Sequence, residues 1–403
     1  MQLEAATSPN QNLTKPVRDN FLVFGAPDVQ QAEIDELIDT VKSGWLGTGP
    51  KTYQFETNFA RYTQAQYSIG LNSCTAGMHL ALDLLDLQPG DEVITTAMTF
   101  VATPNVVVHH NARPVFVDVQ PDTFNVDPDA VEAAITPRTR AIMPVDMCGR
   151  PVEMERLMEI ARHHNLRVIE DAAHATEAVR QGRKIGAIAD VTAFSFYVTK
   201  NLTTGEGGMV TTDDPEWAAE MRMRALHGLS RDAWKRYSAE GFQPYDCAYP
   251  GYKYNMTDMQ ASLGLHQLAR LENNLRVREQ YWAYYDAAFA DLAEVTIPVP
   301  VTPGDVHARH LYTLLLNLES LAVTRNEFID LLKHENIGSG IHFTPTHLHS
   351  FYQKEFGYKL GDFPHAEFIG ERTISLPFST KVTAQDLADV AEAVHRVVRR
   401  HRR

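Results

Sequence analysis

Two periodicities alternate along most of this chain. Short apolar, β-branched runs such as "YSIGLN", "DEVITTAM", "RPVFVDV", "TRAIMPVD" and "LRVIEDAA" are separated by stretches with helical spacing. Those stretches are "TAGMHLALDLLDL", which stops at Pro89-Gly90, then "ATPNVVVHHNA", "DPDAVEAAI" and "PVEMERLMEIARHHN". Pro104 must fall in the first turn of its helix, where its missing N–H is no loss. Buried-looking strands, each followed by a helix, predict an α/β fold: a mixed, mostly parallel sheet flanked by helices on both faces.

Before this alternation, a helical pattern starts at Asp28 and runs through "DVQQAEIDELIDTVKSGWLG", ending at Gly47. After it, "GGMVTT" reads as a strand and "PEWAAEMRMRALH" as a helix. "TDMQASLGLHQLARLENNLRVREQYWAYYDAAFADL" reads as one long helical region. That region bridges to a smaller C-terminal α+β part, with strands at "HLYTLLL" and "ISLPF" and a last helix from Ala384. The predicted organisation is a loose polar segment over 1–20, a large domain over 21–265 and a small domain over 266–403.

Composition narrows the class. Of 403 residues, 44% are hydrophobic and 22% charged, as in ordinary globular proteins. The formal net charge of -14 lacks the basic surplus of a nucleic-acid binder. The basic tail "HRVVRRHRR" suits the C-terminal end of a helix dipole instead. Cys74, Cys148 and Cys247 are scattered and make neither a disulfide framework nor a zinc site, which points to a reducing compartment, the cytoplasm. The N-terminus has no apolar core of a signal peptide. No uncharged apolar run reaches the roughly 18 residues a membrane span needs.

Open α/β sheets bind ligands at the carboxyl ends of their strands, and four stretches fall at such ends. In "LNSCTAGMHLAL", Ser73 and Thr75 sit at a strand-to-helix junction. They read equally as a plain N-cap and as part of a phosphate cradle. In "VIEDAAHA", Asp171 closes a buried strand, with His174 three residues on; a carboxylate there is paired, functional or a helix cap. In "FSFYVTKNLTTGEGGMV", Ser195, Thr199 and Lys200 precede a glycine-rich turn. In "TTAMTFVATPN", Phe100 could stack on a flat ring or belong to the core. Jointly these are the parts that pyridoxal phosphate requires. A lysine joins the cofactor aldehyde as a Schiff base, and a carboxylate keeps the pyridine nitrogen protonated. The freed lysine amine can then move a proton between substrate and cofactor.

These motifs, with "SGWLGTGP", "GYKYNMTDMQASLG" and "SGIHF" in the same order, resemble the DegT/DnrJ/EryC1/StrS family of pyridoxal-phosphate sugar aminotransferases over about residues 22 to 395. The resemblance implies a fold-type-I aminotransferase, active as a homodimer with shared sites. It implies Lys200 as the Schiff-base lysine and Asp171 as the ring-nitrogen partner. His174 would lie beside the ring and its 3-hydroxyl. Ser195 and the backbone N–H groups of Thr75 and Ala76 would hold the phosphate, with Phe100 stacked on the ring. His342 and Phe343, with Trp45, Gly47 and Thr48, would border the substrate.

Two departures stand out. Tyr197 replaces a histidine common in the family. "GYKYN" replaces "GYNYR", putting Lys253 in the slot of the asparagine that reaches the neighbouring subunit's phosphate, and Asn255 in the arginine slot. Lys253 could make that contact as a point charge, Asn255 could take it over, or Lys253 could be an exposed loop cation. "GYKYN" together with "SGIHF" looks closest to members acting on 4-keto nucleotide sugars. His342, His347 and His349 have poor metal-ligand spacing, so no metal is expected. The expected reaction moves the amino group of glutamate onto a keto carbon, C4, of a UDP- or dTDP-linked keto-deoxy sugar. The alternatives are a related sugar dehydratase, in which the family carries histidine where Lys200 stands, and a catalytically silent binding protein on the same fold.

Overall fold

The computed structural model describes residues 15–229 and 246–403. A central sheet holds seven strands: β1 (Tyr67–Leu71), β2 (Glu92–Thr96), β3 (Arg113–Val117), β4 (Thr139–Met143), β5 (Arg167–Asp171), β8 (Val191–Ser195) and β9 (Gly208–Thr212). A small hairpin of β6 (Val179–Arg180) and β7 (Arg183–Lys184) stands apart. The order across the sheet is β1-β9-β8-β5-β4-β2-β3. The pairs β2–β3, β2–β4, β4–β5 and β5–β8 are parallel, while β9 runs against both β8 and β1. The sheet is therefore mixed, with one reversed strand. The cause is local: no helix separates β8 from β9, so the chain returns as an antiparallel neighbour.

Strands β2, β8 and β9 are buried at every position. One face packs Leu71, Met78, Leu80, Val93 and Ile169 together. The other packs Phe55, Phe59, Phe194 and Phe196.

The first helix stops earlier than its pattern suggests. It covers Gln31–Ser43, with Gly44 in the left-handed region at φ 78°. A second helix then runs over Pro50–Thr63, which the sequence pattern did not predict. Its fully buried side chains Phe55 and Phe59 lie four apart in an otherwise polar stretch, too thin a stripe to register. Its start is held by the carboxylate of Asp258, which accepts from the N–H of Gly49, Lys51 and Thr52 at 2.8, 3.1 and 2.9 Å. A helix N-terminus needs such acceptors, and this one comes from 206 or more residues downstream.

The long helical region is two helices, Asp258–Ala269 and Leu271–Phe289, broken at Arg270 (φ -106°, ψ 5°). The break serves two different cores. The first packs on Gln31–Ser43 and Pro50–Thr63, the second on the last helix, Ala384–His401. That second core gathers Trp282, Tyr285, Phe289, Tyr312, Phe328 and Val394. It is closed by an antiparallel sheet of β10 (Val295–Thr296), β11 (Tyr312–Leu316) and β12 (Thr373–Leu376).

Of the segment read as loose, residues 1–14 lie outside the described residues. Residues 15–20 are tied to the second core: Val17 N–H donates to Glu335 at 2.8 Å, and Arg18 pairs with Asp386 and Asp389 at 2.5 and 2.6 Å. Among the described residues, no helix is long and apolar enough to cross a membrane.

Candidate active site

The alternation along β8 explains why a lysine follows it. Phe194 and Phe196 point into the core against Phe59, with ring centroids 5.0 and 5.5 Å away. Ser195, between them, faces the opposite side and lines a cavity of about 570 Å³. The loop that follows is pinned at both ends: Phe196 N–H donates to Gly207 O and Thr204 N–H to Phe196 O, each at 2.9 Å. Lys200 N–H closes a turn on Tyr197 O at 2.9 Å, and Lys200 lines the same cavity.

Three other strand ends converge there. After β1, Ser73 caps the helix Cys74–Asp83, its Oγ accepting from Ala76 N–H at 3.1 Å. The helix start, with Thr75, borders the cavity. Ser73 thus acts as the N-cap, and its hydroxyl occupies the N–H of Ala76. Gly208 lies directly against this turn: a Cβ added to it would sit 2.3 Å from Ser73 C and 2.4 Å from Cys74 N. After β2, Phe100 is not a core residue. It is 58% exposed and touches Phe343 at 5.9 Å.

Asp171, the last residue of β5, is buried. Its carboxylate accepts from Thr103 Oγ1 at 2.8 Å and from Ala173 N–H at 3.1 Å. Burial pushes this carboxyl above the usual carboxylate range, opposed by those two donors and by the charge of Lys200. His174 is buried, with its ring 4.5 Å from His310 and 6.0 Å from Phe343. Burial first, then the Lys200 charge, holds it well below the ordinary histidine value. The same two causes push His342 down to about 4. Burial also lowers Lys200 itself to about 8, although the charge of Asp171 opposes this.

The lysine shift gives a testable pH dependence. Only the neutral amine attacks an aldehyde. Capture of pyridoxal phosphate by cofactor-free protein should quicken about tenfold per pH unit and level off above about pH 8. Stopped-flow absorbance measures this. A rise continuing beyond pH 9 or so would mean a lysine near its ordinary value.

These residues fit the cofactor on their own geometry. A helix N-terminus and Ser195 flank one part of the cavity, and the Gly208 backbone is pressed against that turn. A carboxylate is held at the end of β5. His174 Nδ1 is buried and has no hydrogen-bond partner among the described residues. Phe100 offers an open ring face.

Other sequence-derived residues lie elsewhere in this chain. Asn255 Nδ2 donates to Thr48 Oγ1 at 2.6 Å, and Thr48 Oγ1 donates to Met256 O at 2.5 Å. Gly47 O accepts from Asp258 N–H at 2.8 Å. Lys253 is exposed and bridges to Leu226. These residues, with Trp45 and Ala76, are outside the cavity lining. His342 and Phe343 are part of it. His342 Nδ1 meets Ser375 Oγ at 2.8 Å, and His347 Nε2 meets Glu367 at 2.9 Å. Among the described residues, no group of three His, Cys, Asp or Glu is placed to hold a metal ion.

Sequence reasoning missed Phe24, Asn201, Arg278 and His310, all of which line the cavity. Asn201 alone carried a signal, as the neighbour of Lys200. The others come from distant segments without periodic or motif context.

Fold and site together define a fold-type-I, pyridoxal-phosphate-dependent sugar aminotransferase, and known proteins bear this out. The model of the DegT/DnrJ/EryC1/StrS aminotransferase family matches residues 27–395, and the chain belongs to that family. The spore coat polysaccharide biosynthesis protein SpsC of Bacillus subtilis is 47% identical over 95% of this chain and 98% of its own. Among solved structures, the PLP-form of Spr1654 from Streptococcus pneumoniae superposes with a TM-score of 0.87 at 35% identity, covering 94% of this chain and 99% of that one. PseC of Helicobacter pylori, an aminotransferase involved in the biosynthesis of pseudoaminic acid, gives 0.87 at 26% identity, covering 95% and 100%.

Proposed function

We propose that the chain transfers the amino group of glutamate to C4 of a keto-deoxy sugar carried on UDP or dTDP. The observation that carries this reading is one cavity of about 570 Å³ in which Lys200, Asp171 and a helix N-terminus meet. Its volume suits a cofactor and a sugar ring. The similarity to SpsC, a polysaccharide biosynthesis protein, supports a sugar substrate built into a larger glycan.

When bound, pyridoxal phosphate supplies the electron sink for moving an amino group between carbons. Ser195 and the Thr75 N–H would hold its phosphate, Asp171 its ring nitrogen and Phe100 its ring face; the Ala76 N–H would join them only on leaving Ser73 Oγ. His174 would lie beside the 3-hydroxyl. The amine of Lys200, shifted to about 8, can both take up and release a proton near neutral pH. His342 and Phe343 would border the sugar, with Trp45, Gly47 and Thr48 at its rim. Incubating the purified protein with glutamate and a panel of 3-keto and 4-keto nucleotide sugars, read by mass spectrometry, tests the assignment. Amination confined to C3, or none with any nucleotide sugar, would overturn it.

The working unit in this reading is a cytoplasmic homodimer. Ile34, Ile38 and Val41 are 43, 46 and 54% exposed on the first helix, an apolar face suited to a second copy. Lys253 would reach the neighbouring subunit's phosphate, since the Asn255 amide is engaged with Thr48. Lys253→Ala should then weaken cofactor retention about tenfold, the equivalent of one charged hydrogen bond. Equilibrium dialysis checks it. Unchanged affinity would assign the contact to Asn255 or to neither.

A further inference from the structure

Behind the lysine loop runs a chain of polar side chains that the chemistry above does not use. Arg278 Nη2 donates to Glu177 Oε1, and both residues are buried. Glu177 Oε2 accepts from Asn201 Nδ2 at 3.0 Å, and the same nitrogen donates to Ala308 O at 2.8 Å. Both amide hydrogens of Asn201 are thus spent on oxygen acceptors. That orients the amide, and its oxygen is the atom 3.1 Å from His310 Nδ1. An amide oxygen only accepts, so His310 Nδ1 must carry the hydrogen. A neutral imidazole protonated at Nδ1 has a bare, accepting Nε2.

His310 is 5% exposed, lines the cavity with Lys200, and lies against His174. The charged and titratable groups that act on it are Lys200, His342, Arg278 and His307, with the His174 ring tilted against its own at 4.5 Å. None of these is an acid. The one carboxylate in the chain of contacts, Glu177, is matched by Arg278. Burial and the surrounding positive charge keep His310 neutral.

We infer that Arg278, Glu177 and Asn201 lock His310 in its Nδ1–H form, so that Nε2 accepts a hydrogen bond from a cationic amine in the cavity. Two amines share that chemistry: the ammonium of Lys200 when it is free, and the ammonium of the amino donor. His310 then orients the amine directly, and Asn201 and Glu177 are positioning residues. The inference rests on the aminotransferase class and is independent of which sugar is used.

Nitrogen-15 NMR of histidine-labelled, cofactor-free protein reads the tautomer, with His310 assigned by its loss in His310→Gln. A bare Nε2 and a protonated Nδ1 are expected; the opposite tautomer overturns the lock. The two amine sources separate in Lys200→Ala. A changed Nε2 resonance in that variant assigns Lys200 as the donor. A resonance that moves only on adding methylammonium assigns the amino donor. No response to either overturns the inference. Asn201→Ala removes the oxygen that Nδ1 faces, so the ring can take either tautomer and Nε2 is no longer held bare. The His310 resonances should then move toward a tautomer mixture, and the half-reaction with glutamate should slow about tenfold. A folded variant that keeps the wild-type tautomer or the wild-type rate would show that the lock has no bearing on the reaction.

Discussion

Replacing Lys200 by alanine is expected to abolish transamination and leave the fold intact. The loop keeps its shape through backbone bonds, Lys200 N–H to Tyr197 O and Phe196 N–H to Gly207 O. None of them needs the side chain. Removing an amine buried so deeply that its pKa falls to about 8 also removes a desolvation cost. Thermal stability should therefore hold or rise. Activity should fall by at least about 10⁴-fold, the scale seen when a group forming a covalent link is deleted. Borohydride reduction followed by intact-protein mass spectrometry gives a second readout: the wild type retains the cofactor covalently and the variant does not. Turnover persisting in the variant would mean that another amine performs the reaction.

Asp171→Asn should bind cofactor in the same place and react far more slowly. Thr103 Oγ1 and Ala173 N–H donate to different oxygens of Asp171 at 2.8 and 3.1 Å, with Cys74 Sγ a third, weaker donor at 3.8 Å. Asparagine Oδ1 can keep the Ala173 N–H while its amide donates to Thr103 Oγ1, whose hydrogen turns to Thr99 Oγ1, so the fold should bear the change at little cost. The larger change is electrostatic. A contact ion pair at an effective dielectric near 20 is worth about 4 kcal/mol, or about 3 pKa units on the ring nitrogen. Proton abstraction should slow about 10³-fold, with the cofactor still covalently attached. Rapid-scan absorbance of the half-reaction with glutamate measures it. A rate within about tenfold of wild type would show that ring protonation does not depend on Asp171.

Much of the large sheet was legible because its strands are continuous apolar runs separated by helices. β2, buried at all five positions, is the plainest case. The apolar run of β9 marks a strand but not its direction, which depends on a connection without regular structure. The helix Pro50–Thr63 escaped notice because its start is held by Asp258, far along the chain. Arg270 interrupts a helical pattern that is continuous in sequence, since the halves pack on different cores. At the site, Lys200, Asp171, His174 and Ser195 could be named in advance because each closes or follows a strand within a compact motif. His310 and Arg278 could not, because each reaches the cavity through tertiary packing.

The chain by itself determined which chemistry is available: one lysine after an alternating strand, one carboxylate at a strand end, and hydroxyl groups at a helix start. Those are local choices of residue type and period, and local physics reads them. Only the folded molecule decided their surroundings. Burial lowers Lys200 to about 8, and a hydrogen bond to the Asn201 amide oxygen orients His310. Desolvation and hydrogen-bond partners depend on atoms brought from distant positions, so they exist only once the two cores have closed around the cavity.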